Sequence, residues 1–435
     1  MTVLARRRWL AVAGSALLAG CSRLPFFGEE ETPLSGERIP VLLAEEGVRA
    51  DPALAAEPVV LPEPVANDAW TQLAGNARHA LGHPALATTP RPLWRREAGR
   101  GAEETAVLLA PPVVADGRVF TVDADLVLRA FALGDGRSLW TRPLPVEEIL
   151  DRMRAGGLAW DGGMLFVTTT GGEVFGVAAA DGAVRWKRRL GVPVEAPPAA
   201  EGGRLFVVTV DSRLLALDGT SGATLWQHAG FFEQVGLLGG APPAVAGEVV
   251  VVPYGSGQVF ALRRADGRPG WSANVLRPRR TLAMGAIADI TAAPVIDGDR
   301  VFVAGNGGET AAFALADGRR LWSRDLASRQ TPWLAGGYLY LLGERDEVVC
   351  LRRDDGRVRW VARLPREEGD LWAGPVLAGG RLWFAGRGGT VLQLDPADGR
   401  LLARIPLPGP TSRPPVVAAR TILFQTDGGE LVALR

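Results

Sequence analysis

Apolar and polar residues alternate along most of this chain in runs of five or six, and most runs end at a glycine. The stretch Ala292–Trp322, "AAPVIDGDRVFVAGNGGETAAFALADGRRLW", shows the unit clearly. A proline-led apolar run is followed by "DGD", then "RVFVAG", "NGG", "TAAFAL", "ADGR" and "RLW". Period-two alternation punctuated by Gly-containing turns predicts four short antiparallel strands joined by three hairpins, with no helix between them. The unit recurs, with its last turn marked at Asp135, Asp181, Ser221, Asp266, Asp317, Asp355 and Asp398, in steps of 46, 40, 45, 51, 38 and 43 residues. Four strands repeating every 40–50 residues predict the blades of a β-propeller.

Five residues beyond six of these turns stands a tryptophan: Trp140, Trp186, Trp226, Trp271, Trp322 and Trp360. The seventh unit carries Ala403 there. A residue type that recurs in six units is not one active site. A wide, flat indole with a single N–H suits the wedge between neighbouring sheets, so these residues are expected to dock blade on blade. The last unit, from "RPPVV" to "ELVALR", supplies only three strands. The segment around Trp94, "PRPLWRREA", reads as the missing outer strand, and joining the two closes the ring and removes its open edges. The expected fold is all-β: an eight-bladed propeller over 67–435 with Trp94 as a seventh docking tryptophan.

The repeat also supplies a plain reading of residues that look chemical in isolation. Asp123 and Asp125, in "TVDADLV", suggest a calcium loop, but other units place "TTGGEV", "TVDSRL" and "TDGGEL" at that turn. Cys350 falls where other units carry Ala130, Gly176, Ala216, Ala261 and Ala312, a small strand position. His79 and His83 have helical i,i+4 spacing, yet neither cysteine nor acid accompanies them at ligand spacing. No metal site, no catalytic residue and no cofactor is expected. The chain has 48 Lys+Arg against 48 Asp+Glu, which gives no electrostatic reason to expect nucleic acid.

The N-terminus reads as an address. Arg6, Arg7 and Arg8 precede a short apolar run from Leu10 to Leu18, and Leu18-Ala19-Gly20-Cys21 matches a bacterial lipobox. The expectation is a signal peptide over 1–20, lipidation of Cys21, and a Pro/Glu/Ala-rich tether to residue 66. As a flexible coil that tether would span roughly 35–40 Å. Ser22 after the cysteine points to the outer membrane, with the protein anchored there and facing the periplasm.

The "A-x-D-G-x-x-x-W" units and the "APPVV" or "AAPVI" blade openings resemble the repeats of pyrroloquinoline-quinone-type propellers. That group includes quinoprotein dehydrogenases, whose adjacent cysteine pair and long inserts over the axis are absent here. Lipobox, tether, repeat and length together resemble the BamB family of outer-membrane protein assembly lipoproteins. The resemblance implies a non-catalytic scaffold, monomeric within a complex, that docks on the periplasmic POTRA domains of the barrel-assembly subunit and presents surfaces to unfolded outer-membrane clients. It places the docking surface on the connections 227–240 and 272–291, where exposed aromatic and arginine side chains are expected as anchors. The candidates are Phe231, Phe232, Leu237, Leu238, Arg277, Arg279, Arg280 and Asp289. Two other readings stay open: a quinone-dependent dehydrogenase, and a ligand-binding propeller with a deep axial pocket lined by polar groups.

Overall fold

A computed structural model describes residues 48–102, 110–146, 155–231, 240–275, 290–306, 308–365 and 371–435. Val48–Arg435 form one compact unit. It contains eight four-stranded sheets. Blades 1 to 7 are continuous in sequence: 113–143, 155–189, 199–229, 244–274, 295–324, 333–363 and 372–406. Blade 8 combines Val416–Ala418, Thr421–Gln425 and Glu430–Leu434 with Pro92–Glu97, which pairs antiparallel to Glu430–Leu434 and sets Trp94 opposite Ala433. The alternation seen in sequence is the pleat of these sheets. Inner strands such as Val113–Ala115 are buried throughout, whereas an outer strand such as Val184–Arg189 alternates half-buried and exposed residues. The only helical element among the described residues is a 3-10 turn at Pro52–Leu54.

The recurrence of Asp-Gly and then tryptophan has a physical explanation in the seams between blades. Each turn glycine, from Gly136 to Gly399, has a φ of 66° to 75°, a left-handed conformation that glycine adopts without strain. The indole of the preceding blade lies flat on that glycine. A Cβ added to Gly222 would sit 2.6 Å from Trp186, and one on Gly318 would sit 2.6 Å from Trp271. The indole N–H then donates to the carbonyl three residues before that glycine. Trp94, Trp140, Trp186, Trp226, Trp271, Trp322 and Trp360 reach Leu133, Ala179, Gly219, Arg264, Leu315, Arg353 and Pro396 at 2.7 to 3.2 Å. Each blade's turn is therefore the socket for the preceding blade's indole.

This geometry accounts for both exceptions in the repeat. Across the sheet from the docking tryptophan, Ala130, Gly176, Ala216, Ala261, Ala312 and Cys350 are all small, because the ring occupies that space. In blade 7 the pair is inverted: Gln393 faces Ala403. Blade 7 has no tryptophan because blade 8 has no socket. Where its turn would be, the polypeptide is interrupted, and Arg91 and Arg435 exchange backbone hydrogen bonds of 2.7 and 2.8 Å instead.

The tether boundary differs from the sequence expectation. Residues 48–66 lie on the ring rather than in a mobile linker. Asp51 N–H donates to Val358 O at 2.8 Å and its carboxylate meets Arg357 Nε at 2.6 Å. Arg359 donates to Glu57 O at 2.6 Å. Proline-rich composition suggested a linker, but Asp51, Ala55 and Glu57 bond the backbone and arginines of the outer strand of blade 6, and the carbonyls of Pro58 and Pro62 accept from Tyr338 and His83. Cys21 and the rest of 1–47 lie outside the described residues.

Candidate functional site: a sealed axis and the face that opens from it

The lead-in to the ring, residues 67–84, is the most irregular part of the unit, and it is not helical despite the spacing of its histidines. It makes one circuit of the propeller axis and bonds every blade in ring order. Asn67 O accepts from Ala419 N–H at 2.6 Å in blade 8. Trp70 exchanges hydrogen bonds of 2.7 and 2.8 Å with Val114 in blade 1, and Thr71 O accepts from Trp160 in blade 2. The Gln72 amide bonds both backbone groups of Ala200 in blade 3. Ala77 and Arg78 carbonyls accept from Val245 in blade 4 and Ile296 in blade 5. Gly82 O accepts from the Trp333 indole in blade 6, and Pro84 O from Gly379 in blade 7.

Both histidines are structural members of this belt. The His79 ring is 2% exposed, with Nδ1 at 2.7 Å from Pro294 O. Burial disfavours its charged form and pushes its pKa down to about 4. His83 Nε2 accepts from Gly380 N–H at 2.8 Å, so the ring proton sits on Nδ1, which donates to Pro62 O at 2.7 Å. Neither ring is set among metal ligands. Among the described residues no group of three or more His, Cys, Asp or Glu side chains could hold a metal ion. The Asp123 carboxylate is occupied by its own turn, accepting from Asp125 N–H at 3.0 Å and Val127 N–H at 2.8 Å and pairing with Arg129 at 2.5 Å. Cys350 is fully buried, and that burial pushes its thiol pKa far above the ordinary value.

Above the belt lies an axial cavity of about 900 Å³. Its floor is aromatic and aliphatic: Trp70, Leu73, Trp333 and Trp372. Trp70 and Trp333 stack with centroids 5.9 Å apart and planes at 22°. The Trp333 and Trp372 indole N–H groups are already bonded to Gly82 O and Pro365 O, so these rings offer the cavity only hydrocarbon. Charges of both signs ring the wall, with Arg329, Arg387 and Arg413 against Glu195, Glu344 and Asp346. Arg329 donates to Asn306 Oδ1 at 2.9 Å, and Arg413 lies 3.3 Å from Asp427.

The same cavity is lined by Gly240 and Thr291, which end the two connections singled out as docking loops. Of the eight anchor candidates, Phe231 is described. Its side chain is 70% exposed, and its N–H donates to Gln258 Oε1 at 3.2 Å. Phe232, Leu237, Leu238, Arg277, Arg279, Arg280 and Asp289 lie outside the described residues. Sequence reasoning missed Trp70, Gln72, Trp333 and Trp372. A signal was present for Trp333: it opens an inner strand where Val113, Ala199, Ala244, Val295 and Val416 stand in other blades, out of frame with the docking series.

Radial four-stranded sheets clasped by indoles define a pyrroloquinoline-quinone-like propeller, here with its axis closed by its own chain. Known proteins narrow that class. The family model described as outer membrane protein assembly factor BamB matches residues 83–152, 147–362 and 363–435. The BamB of Xanthomonas campestris pv. campestris is 33% identical over 79% of this chain and 85% of its own length. That of Escherichia coli K12 is 29% identical over 80% and 89%. The crystal structure of BamB from Moraxella catarrhalis superposes with a TM-score of 0.70 at 19% identity, covering 80% of this chain and all of that one. A quinohemoprotein alcohol dehydrogenase from Pseudomonas putida HK5 shares the fold alone, at a TM-score of 0.65 and 12% identity. The chain belongs to the BamB family of outer membrane protein assembly factors.

Proposed function

We propose that this protein is a non-catalytic scaffold of outer-membrane β-barrel assembly, anchored by lipid on Cys21 and facing the periplasm. It docks through the connections 227–240 and 272–291 on the POTRA domains of the barrel-assembly subunit. The observation that carries the reading is the exposed Phe231 on the connection that ends at the cavity mouth, in a chain of this family. A large aromatic held in solvent beside a polar rim is the side chain an interface buries with most gain. The axis supports the same reading, since the chain's own belt fills its lower part and both belt histidines are engaged with backbone groups.

Affinity purification from solubilised membranes, read by mass spectrometry, tests the reading. The wild type should recover a POTRA-bearing barrel protein. Replacing Phe231, Phe232 and Arg279 together with alanine should reduce that recovery without changing the melting curve. Cys21→Ser should move the protein into the soluble periplasmic fraction. Unchanged recovery in the triple variant would sink the docking surface.

A further inference from the structure

The seam between blades 3 and 4 departs from the repeat at three positions that meet around one ring. The residue after an outer strand donates its N–H to the turn between the second and third strands of its own blade. In blades 1, 2, 4, 6, 7 and 8 that residue is aliphatic: Leu144, Leu190, Val275, Leu364, Leu407 and Ala98. Blade 3 places Gly230 there. Gly230 is not left-handed, so its backbone does not call for glycine. A Cβ on it would lie 2.4 Å from the ring of Tyr254. Tyr254, which is fully buried, follows the second strand of blade 4, where Asp123, Gly305, Gly343 and Thr426 stand in other blades. His228, two residues beyond the docking tryptophan, stands where blades 1, 2, 5 and 8 carry arginine. Its Nδ1 lies 2.8 Å from the Tyr254 hydroxyl, and its ring packs on Tyr254 and Phe260 with centroids 5.9 and 4.7 Å away.

A corner that other blades plug from their own connection is plugged here from the next blade. The connection 227–240 is thereby left without an inward apolar seat, and its first large apolar residue, Phe231, stands 70% exposed. Two bonds fix where it stands. Gly230 N–H donates to Ser212 O at 2.8 Å, and Phe231 N–H donates to Gln258 Oε1 at 3.2 Å. From this geometry we infer that His228, Gly230, Tyr254 and Gln258 are positioning residues. They hold the start of the docking connection against blade 4 and keep the Phe231 side chain in solvent, ready for its partner. A side chain already ordered before association has less freedom to lose on binding, whereas a loose connection would fold its aromatic back onto its own protein. The inference rests on the docking reading and adds how its anchor is held.

The experiment is a swap made in the full-length protein. Gly230→Val combined with Tyr254→Gly restores the residue types that stand at these two positions across the next seam, Val275 and Gly305. A nitroxide on Phe231→Cys reports mobility, since Cys350 is buried and Cys21 is taken up by the proposed lipid. The label should be immobilised in the parent and give a sharp, mobile spectrum in the swap. With Phe231 retained, the swap should bind the purified POTRA domains of the barrel-assembly subunit about three- to tenfold more weakly, the range set by ordering one or two side chains at an interface. A double-mutant cycle separates positioning from a plain structural role: Phe231→Ala should weaken the parent by about tenfold and the swap by much less. His228→Arg, at a half-buried position where arginine is the repeat's own choice, should loosen the label in the same direction and serves where the swap fails to fold. Tyr254→Phe keeps the ring over Gly230 and should bind as the parent does. An immobilised label in both the swap and His228→Arg, or additive effects in the cycle, overturns the inference. Parental binding by Phe231→Ala alone counts instead against the docking reading, and the nitroxide spectra then decide whether the cluster holds residue 231 in place.

Discussion

The seams and the axis hold the same ring together by opposite means. At the seams one device is used seven times: an indole lies on a left-handed glycine and donates to a nearby carbonyl. At the axis a single segment makes different bonds to each blade, by backbone at Ala77, by an amide side chain at Gln72 and by an imidazole at His83. The first is repetition and tolerates a missing copy, as blade 7 shows. The second occurs once, and every part of it is specific to its place.

The comparison can be broken most sharply at Trp70. If the seams alone hold the ring, Trp70→Ala is nearly neutral. If the belt is part of the core, it costs about 3–5 kcal/mol, the usual loss for a buried tryptophan, and Trp226→Ala at a seam costs a similar amount. Urea unfolding of the two variants decides this. The next largest effect is on pH dependence. The folded His79 has its pKa lowered to about 4, whereas the unfolded ring titrates near 6.5. The unfolded chain therefore takes up the proton more readily. Stability from this group is complete above about pH 6.5 and is lost as pH falls toward about 4, by up to about 3 kcal/mol. His79→Asn should flatten that part of the stability curve, and an unchanged slope would remove His79 from the belt's energetics.

Smaller effects probe the sockets. Gly222→Ala adds a Cβ 2.6 Å from the Trp186 ring at a φ of 71° and should cost on the order of 1–3 kcal/mol. Ala403→Trp restores the repeat in blade 7 but finds no turn to receive it, so the expected gain is within about 0.5 kcal/mol of zero. A clear stabilisation there would show that the indole needs no socket.

This contrast also explains what could be read in advance. The docking tryptophans, the shared last blade and the small residue at Cys350 were legible because repetition averages out local exceptions. The belt was not. Its bonds are made by backbone carbonyls of Ala77, Arg78 and Gly82 and by left-handed residues such as Ala74 and His79, and none of these has a compositional signature. The histidine spacing suggested a helix because i,i+4 spacing says nothing about φ. Residues 48–66 looked like linker because prolines satisfy an extended docked segment as well as a free one. The aromatic floor was partly visible, since Trp333 and Trp372 fall out of frame with the docking series. Its meaning needed the topology that brings Trp70 onto them.

Pairing of Pro92–Glu97 with Glu430–Leu434 has a consequence for how the molecule is made. The strand that opens the propeller waits, unpartnered, while almost the whole polypeptide emerges behind it, and only then finds its complement. A chain cut short before Glu430 leaves seven complete sheets and, in place of the eighth, two fragments, Pro92–Glu97 and 416–425, each without its partner strand. Closure of the ring is therefore conditional on the last strand of the propeller.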